Sequence, residues 1–284
     1  MQALGIARRV DPHPAYQLRR RPLEYLAELS AAARSPGLIA RELGRPKAEI
    51  AGYWDDLLIR RGFYPRIHQR EAELRRSGRV QESPGGRADA AGEVLYVLVR
   101  AMRPGVVVET GVALGYSTAF ILQALHDNAA GRLHSVDLPT TDPQGRTNAD
   151  GVRDRVHLGS ADDTGAVIPE DLLERWELTL GPSNPALVGT LDRVGPIDLF
   201  FHDSDHSYAN MIWEYRTAWP RIRPGGWLLS DDVQWNGAFD EFVRATGARS
   251  FRWFGPRGHR GAIAKPSVSG AKPVDGERRP VGPG

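Results

Sequence analysis

The run Val106-Val-Val-Glu-Thr-Gly-Val-Ala-Leu-Gly-Tyr-Ser-Thr118 constrains this chain more than any other segment. A β-branched apolar stretch ends in an acid, two glycines follow, and Ala119 to Leu125 continues as an apolar helical segment. That order predicts a strand, a tight glycine loop and a helix start. Gly111 and Gly115 let the backbone come close to a ligand, and the helix beyond offers free N–H groups. A second short strand, His134-Ser-Val-Asp137, also ends in an acid. In an open parallel sheet, ligands sit at the carboxyl ends of strands near the point where strand order reverses. Asp137 is therefore placed to reach a ribose diol positioned by the glycine loop. A third strand, within Asp198-Leu-Phe-Phe-His-Asp-Ser-Asp-His206, ends in a cluster of His and Asp.

Spacing separates two cofactor classes. A dinucleotide site wants G-x-G-x-x-G with an acid about 20 residues on. Here the loop reads Glu109-x-Gly111-x-x-x-Gly115 and the acid comes later, at Asp137. The pattern resembles the S-adenosylmethionine loop of Rossmann-like methyltransferases.

Composition sets outer bounds. The 284 residues, 41% hydrophobic and 25% charged, suit a soluble chain with a sizeable core. There is no cysteine, which excludes disulfides, thiolate metal sites and cysteine nucleophiles. No apolar run reaches membrane-spanning length, and the N-terminus lacks the order of a signal peptide, so a cytoplasmic protein is expected. The net charge of +2 is carried by dispersed arginines rather than by one basic patch. A nucleic-acid partner is therefore not expected.

The expected architecture is α/β. It is a Rossmann-like seven-stranded sheet (residues 84–265) preceded by an N-terminal helical cap or oligomerisation segment (1–83) and followed by a disordered tail (266–284). Helices are predicted at Pro22–Arg34, Leu38–Gly44 and Pro46–Leu58, with Tyr53, Trp54, Phe63 and Tyr64 as candidates for exposed aromatics. Two short helices around Gly44 also suggest a DNA-reading pair. The acids Glu49, Asp55 and Asp56 on the second favour a cap or a homo-oligomer contact instead. Pro84-Gly85-Gly86 marks a break before a helix over Ala88–Met102, striped by Val94, Leu95, Leu98 and Val99. Strands are expected at 106–109, 132–136, 176–180, 197–201 and 227–230, helices at 117–126, 185–194, 209–221 and 239–246, and a terminal antiparallel hairpin at 251–254 and 261–265. Residues 139–173 form an insertion beside the cofactor site.

Asp203 and the pair Asp231-Asp232 both follow predicted strands and should meet. Carboxylates and waters suit a hard cation such as Mg²⁺. The adjacent pair can ligate together only where the chain has left the strand, since strand side chains alternate. His206 is placed to take a proton. Over about residues 88–265 the chain resembles bacterial methyltransferases related to macrocin O-methyltransferase and the cephalosporin hydroxylase-like proteins. The resemblance is carried by Pro196–Tyr208, Glu214–Trp219, Arg223–Asp232 and Trp235–Phe239. It implies Asp203, Asp231 and Asp232 as Mg²⁺ ligands and His206 as base. Pro182 stands where that family often has an acid, leaving Ser183 as the candidate near adenine. The full expectation is S-adenosylmethionine-dependent methyl transfer to a hydroxyl of a small molecule. Glu109, Thr110, Gly111, Gly115, Ser117, Asp137, Ser183 and Asp203 are the candidate cofactor residues. The rivals are a cofactor-binding regulatory or assembly protein and a nucleic-acid methyltransferase.

Overall fold

Nine strands form among the described residues: β1 (Val106–Thr110), β2 (Arg132–Asp137), β3 (Arg146–Thr147), β4 (Arg153–Asp154), β5 (Trp176–Leu180), β6 (Ile197–His202), β7 (Ile222–Ser230), β8 (Ser250–Phe254) and β9 (His259–Ala264). The computed structural model describes residues 36–60, 62–79, 90–142, 144–154, 157–254 and 259–267. The predicted helix at Pro22–Arg34, the Pro84–Gly86 break and the tail from 268 lie outside them. Seven strands form one sheet, ordered β5-β2-β1-β6-β7-β9-β8, while β3 and β4 make a separate two-stranded pair. Neighbours pair in parallel from β5 to β7, whereas β9 runs antiparallel to both β7 and β8. The central strands read as continuous apolar runs because helices cover both faces. This is the expected Rossmann-like sheet.

Register matters more to the site than the order does. Val136, Thr110, His202 and Ser230 stand in one row across β2, β1, β6 and β7. The residues one step further stand at the same edge: Asp137, the last of β2, and Gly111, Asp203 and Asp231, which begin their loops. Backbone bonds continue the ladder one step past the row, from Gly111 N to Val136 O (2.9 Å), Asp203 N to Thr110 O (2.8 Å) and Asp231 N to His202 O (2.8 Å). At the opposite end Asp198 Oδ2 accepts from the N–H groups of Gly105 and Val106 (2.8 Å each), and its Oδ1 accepts from Arg223 (2.8 Å). One carboxylate thus ties the starts of β1, β6 and β7 together.

The helix Ala90–Met102 is buried from Val94 through Val99, on more than the stripe read from its sequence. A helix apolar on all sides needs cover on its outer face. The N-terminal helices, 36–43, Lys47–Asp55 and Phe63–Arg76, provide it. Trp54 and Phe63 are buried rather than exposed, and Tyr53 and Tyr64 are half-buried. Trp54 Nε1 and Tyr64 Oη donate to the buried Glu93 (3.1 and 2.7 Å), and the Phe63 ring lies 4.5 Å from that of Phe120. These helices share one core with the sheet.

Residues Gly165 to Ile168, within the predicted insertion, pack against the glycine loop. Gly165 N donates to Ala113 O (2.8 Å) and Val167 N to Leu114 O (3.1 Å). Ser160 and Asp163 cap the insertion's short 3₁₀ turn reciprocally, and Arg79 pairs with Asp163 at 2.7 Å.

Candidate active site at the reversal of strand order

The chain runs β1, β2, β5 towards one edge of the sheet and then returns to β6 and β7 on the other side of β1. The cleft at the carboxyl ends of β1 and β6 is where an open α/β sheet binds ligands. The glycine loop lies on one side of it and the loop after β6 on the other. They touch backbone to backbone: a Cβ on Gly111, whose φ is +85°, would sit 2.0 Å from the Asp203 carbonyl oxygen. Gly115, at φ +93°, is pressed against Gly165 and Ile168 in the same manner. Only glycine combines that conformation with that approach. The helix Tyr116–Asp127 starts here with no side chain capping its N-terminus.

Two acids hold the loop in shape. Asp137 Oδ1 accepts from Val112 N at 2.9 Å. Glu109 is buried beneath the loop, where Ser117 Oγ donates to its Oε1 (3.1 Å) and Thr118 and Ser135 donate to its Oε2 (2.9 and 2.7 Å). Burial pushes its carboxyl up to about 7, against the pull of the three hydroxyls.

A second buried carboxylate, Glu214, links the two sides of the cleft. Its Oε2 accepts from Thr110 Oγ1 (2.6 Å) and lies 2.6 Å from His202 Nδ1, and its Oε1 accepts from Ser204 Oγ (2.8 Å). Burial works against its ionisation, but His202 and the hydroxyls of Ser183 and Thr110 bring it down to about 2. Thr110, read from sequence as a cofactor residue, thus has its hydroxyl on Glu214. Neither Glu214 nor His202 was assigned a role from sequence. A signal existed: Met211 and Ala218, three before and four after Glu214, mark the buried side of the helix Tyr208–Ala218, and an acid on an apolar face needs partners.

Asp203, Asp231, Asp232 and His206 do converge. His206 Nε2 lies 3.8 Å from Asp203 Oδ1 and 3.7 Å from Asp232 Oδ2. The chain leaves β7 at Ser230 and Asp232 takes a left-handed φ of +48°, which releases the two adjacent acids from strand alternation. Burial and the charge of Asp231 hold Asp203 well above the ordinary carboxylate range and lift Asp232 to about 6. Burial also raises Asp231, but Arg260 and His206 outweigh it and leave that carboxyl low. Desolvation, with His202 adding to it, lowers His206 to about 4, so its imidazole is neutral. Asp205, left without a role by sequence, accepts from Ser207 N (2.9 Å) at the start of the following helix.

Arg260 is the residue that sequence reading missed altogether. Its Nε stands 2.8 Å from Asp231 Oδ1, and its Nη2 donates to Oδ2 at 3.2 Å. Mg²⁺ needs oxygens free to enter a near-octahedral shell. Asp231 has both oxygens within ion-pair distance of Arg260, with one hydrogen bond at Oδ2, and Asp232 Oδ1 accepts from Gln234 (3.0 Å). Among the described residues no group of three His, Asp or Glu side chains is arranged to hold a metal ion. The donor set does not fit Mg²⁺ at Asp203, Asp231 and Asp232, where the sequence pointed.

Residues 108–233 match the family profile of a methyltransferase domain. A curated relative, the 8-demethyl-8-alpha-L-rhamnosyl tetracenomycin-C 2'-O-methyltransferase of Streptomyces olivaceus, is 34% identical over 71 residues, 22% of this chain. The match spans about a fifth (19%) of that relative's length. A solved structure of a Klebsiella pneumoniae protein assigned as an O-methyltransferase is 20% identical, with a TM-score of 0.50 over 75% of this chain and 96% of that one. Cofactor-bound Rv0187 from MTB is 18% identical, with a TM-score of 0.51 over 77% of this chain and 96% of that one. These two structures share the fold. No helix among the described residues is long and apolar enough to cross a membrane.

Proposed function

We infer that this chain is an S-adenosylmethionine-dependent O-methyltransferase acting on a hydroxyl of a small molecule of sugar or natural-product type. The observation that carries the reading is the backbone contact between the glycine loop and the Asp203–His206 loop across the cleft. It sets a cofactor-shaped loop directly against a cluster of proton-handling side chains. The domain match and the name of the Streptomyces relative support it.

The cradle suits the cofactor. The uncapped N-terminus of the helix Tyr116–Asp127 and the loop from Gly111 to Gly115 would take its amino-acid end, and Asp137 its ribose. Glu109, enclosed by three hydroxyls, supports the loop from below. When bound, the cofactor supplies an electrophilic methyl group. The chain's own part is to align an acceptor hydroxyl and remove its proton. His206 is neutral and can accept that proton at Nε2. The resulting imidazolium would stand 3.7 Å from Asp232, whose charge works against the desolvation that keeps the resting ring neutral.

Calorimetry with S-adenosylmethionine and with NAD tests the cofactor assignment. Asp137→Ala should weaken binding of S-adenosylmethionine by about 1.5–3 kcal/mol, as for a lost hydrogen bond to a charged group. Turnover is read as methyl transfer to a panel of glycosylated hydroxy compounds. His206→Ala should retain cofactor binding and lose about 10²–10⁴ in rate. Tight NAD binding, or a His206→Ala variant at wild-type rate, would refute the corresponding part.

A further inference from the structure

Three carboxylates crowd the edge where β6 and β7 end, and like charges this close are relieved by protonation or by a cation among them. The chain itself brings one. β9 pairs antiparallel with β7, Gly261 opposite Ser230, so Arg260 falls beside the residue just past the end of β7, which is Asp231. Close packing surrounds it. Across the hairpin Arg260 pairs with Trp253, which is buried, and a Cβ on the adjacent Gly261 would lie 2.3 Å from the Phe239 ring. The Arg260 and Asp231 side chains are only 12% and 17% exposed. His206 occupies the remaining gap, between Asp203 and Asp232.

We propose that Arg260 is the resident counter-ion of this acidic cluster, that the cluster consequently binds no divalent cation, and that methyl transfer in this cleft proceeds without one. A guanidinium offers a flat fork that matches a carboxylate, is always charged and is weakly hydrated, so it neutralises a half-buried acid at low desolvation cost. Mg²⁺ would have to displace that guanidinium from Asp231, shed water and complete an octahedron from the carboxylates that remain. The ion assignment stands on this geometry alone, and only its consequence for transfer rests on the function proposed above.

The test uses the full chain and Mn²⁺ alone as the probe, with free Mn²⁺ followed by electron paramagnetic resonance. Wild type should show no site tighter than about 1 mM. Arg260→Gln should open a site at least about tenfold tighter, a difference of about 1.4 kcal/mol. Arg260→Met, which keeps an apolar stem in place, should do the same if the Gln variant folds poorly. Arg260→Lys keeps the charge and should stay closed, and adding Asp231→Asn to Arg260→Gln should abolish the gained site. Micromolar Mn²⁺ binding by wild type that Asp203→Asn removes would overturn the proposal, as would folded Arg260→Gln and Arg260→Met variants without gain. Calorimetry with S-adenosylhomocysteine runs in parallel. Its failure would count against the methyltransferase reading and leave the Mn²⁺ result standing. With an accepted substrate in hand, excess chelator should leave the wild-type rate unchanged.

Discussion

Replacing Gly111 by alanine probes the contact on which the functional reading depends. Gly111 has φ +85°, and its added methyl carbon would fall 2.0 Å from the Asp203 carbonyl oxygen and 2.4 Å from its carbon. Ordinary contact begins near 3.4 Å, so one backbone must retreat by more than an ångström. Retreat breaks the bonds Asp203 N to Thr110 O and Gly111 N to Val136 O, both near 2.9 Å. Each net bond is worth about 1 kcal/mol, and the left-handed conformation costs an L-residue about 1–2 kcal/mol. The sum is a loss of about 3–4 kcal/mol in unfolding free energy, read from denaturant curves at unchanged slope. Gly151→Ala is the control. Gly151 has a similar φ of +76° but nothing within 4 Å of an added Cβ, so only the conformational cost of about 1–2 kcal/mol applies. Cofactor affinity should fall in Gly111→Ala and not in Gly151→Ala. Equal losses in the two variants would show that the two loops do not meet as described, and the argument from their contact would go with it.

Glu109 and Phe63 give two further tests. The Glu109 carboxyl sits at about 7 in the folded chain against an ordinary 4.5, so its stabilising contribution is complete below pH 4.5 and is lost as pH rises through 7. Wild type should therefore lose up to about 3 kcal/mol relative to Glu109→Gln between pH 5 and 8. A difference between the two that stays flat with pH would contradict the burial argument. Phe63→Ala removes a fully buried ring packed on Phe120 and should cost about 3–5 kcal/mol. A loss below about 1 kcal/mol would return the N-terminal helices to a detachable cap.

Much of the fold was legible because its signals are local. The β-branched run before Gly111, the glycines themselves and the acids ending two strands each depend on a few neighbouring residues, and parallel pairing then places those ends at one edge. That logic brought Asp137, Asp203, Asp231, Asp232 and His206 to a single cleft. The outer cover of the helix Ala90–Met102 was less legible. Its sequence showed one apolar stripe, and the burial of the rest, with the segment that supplies the cover, is a matter of packing between distant stretches. The ionic partners were beyond the sequence. Arg260 meets Asp231 across 29 positions through a hairpin register, and Glu214 meets Thr110 across 104 through the stacking of a helix on the sheet. A carboxylate takes its chemistry from whatever stands within a few ångströms of it. The sequence determined that acids would gather at the reversal of strand order. The tertiary structure decided that Glu109 would be enclosed by hydroxyls, Glu214 would be paired with His202, and Asp231 would be held by a guanidinium, because charge state follows distance and burial rather than position along the chain.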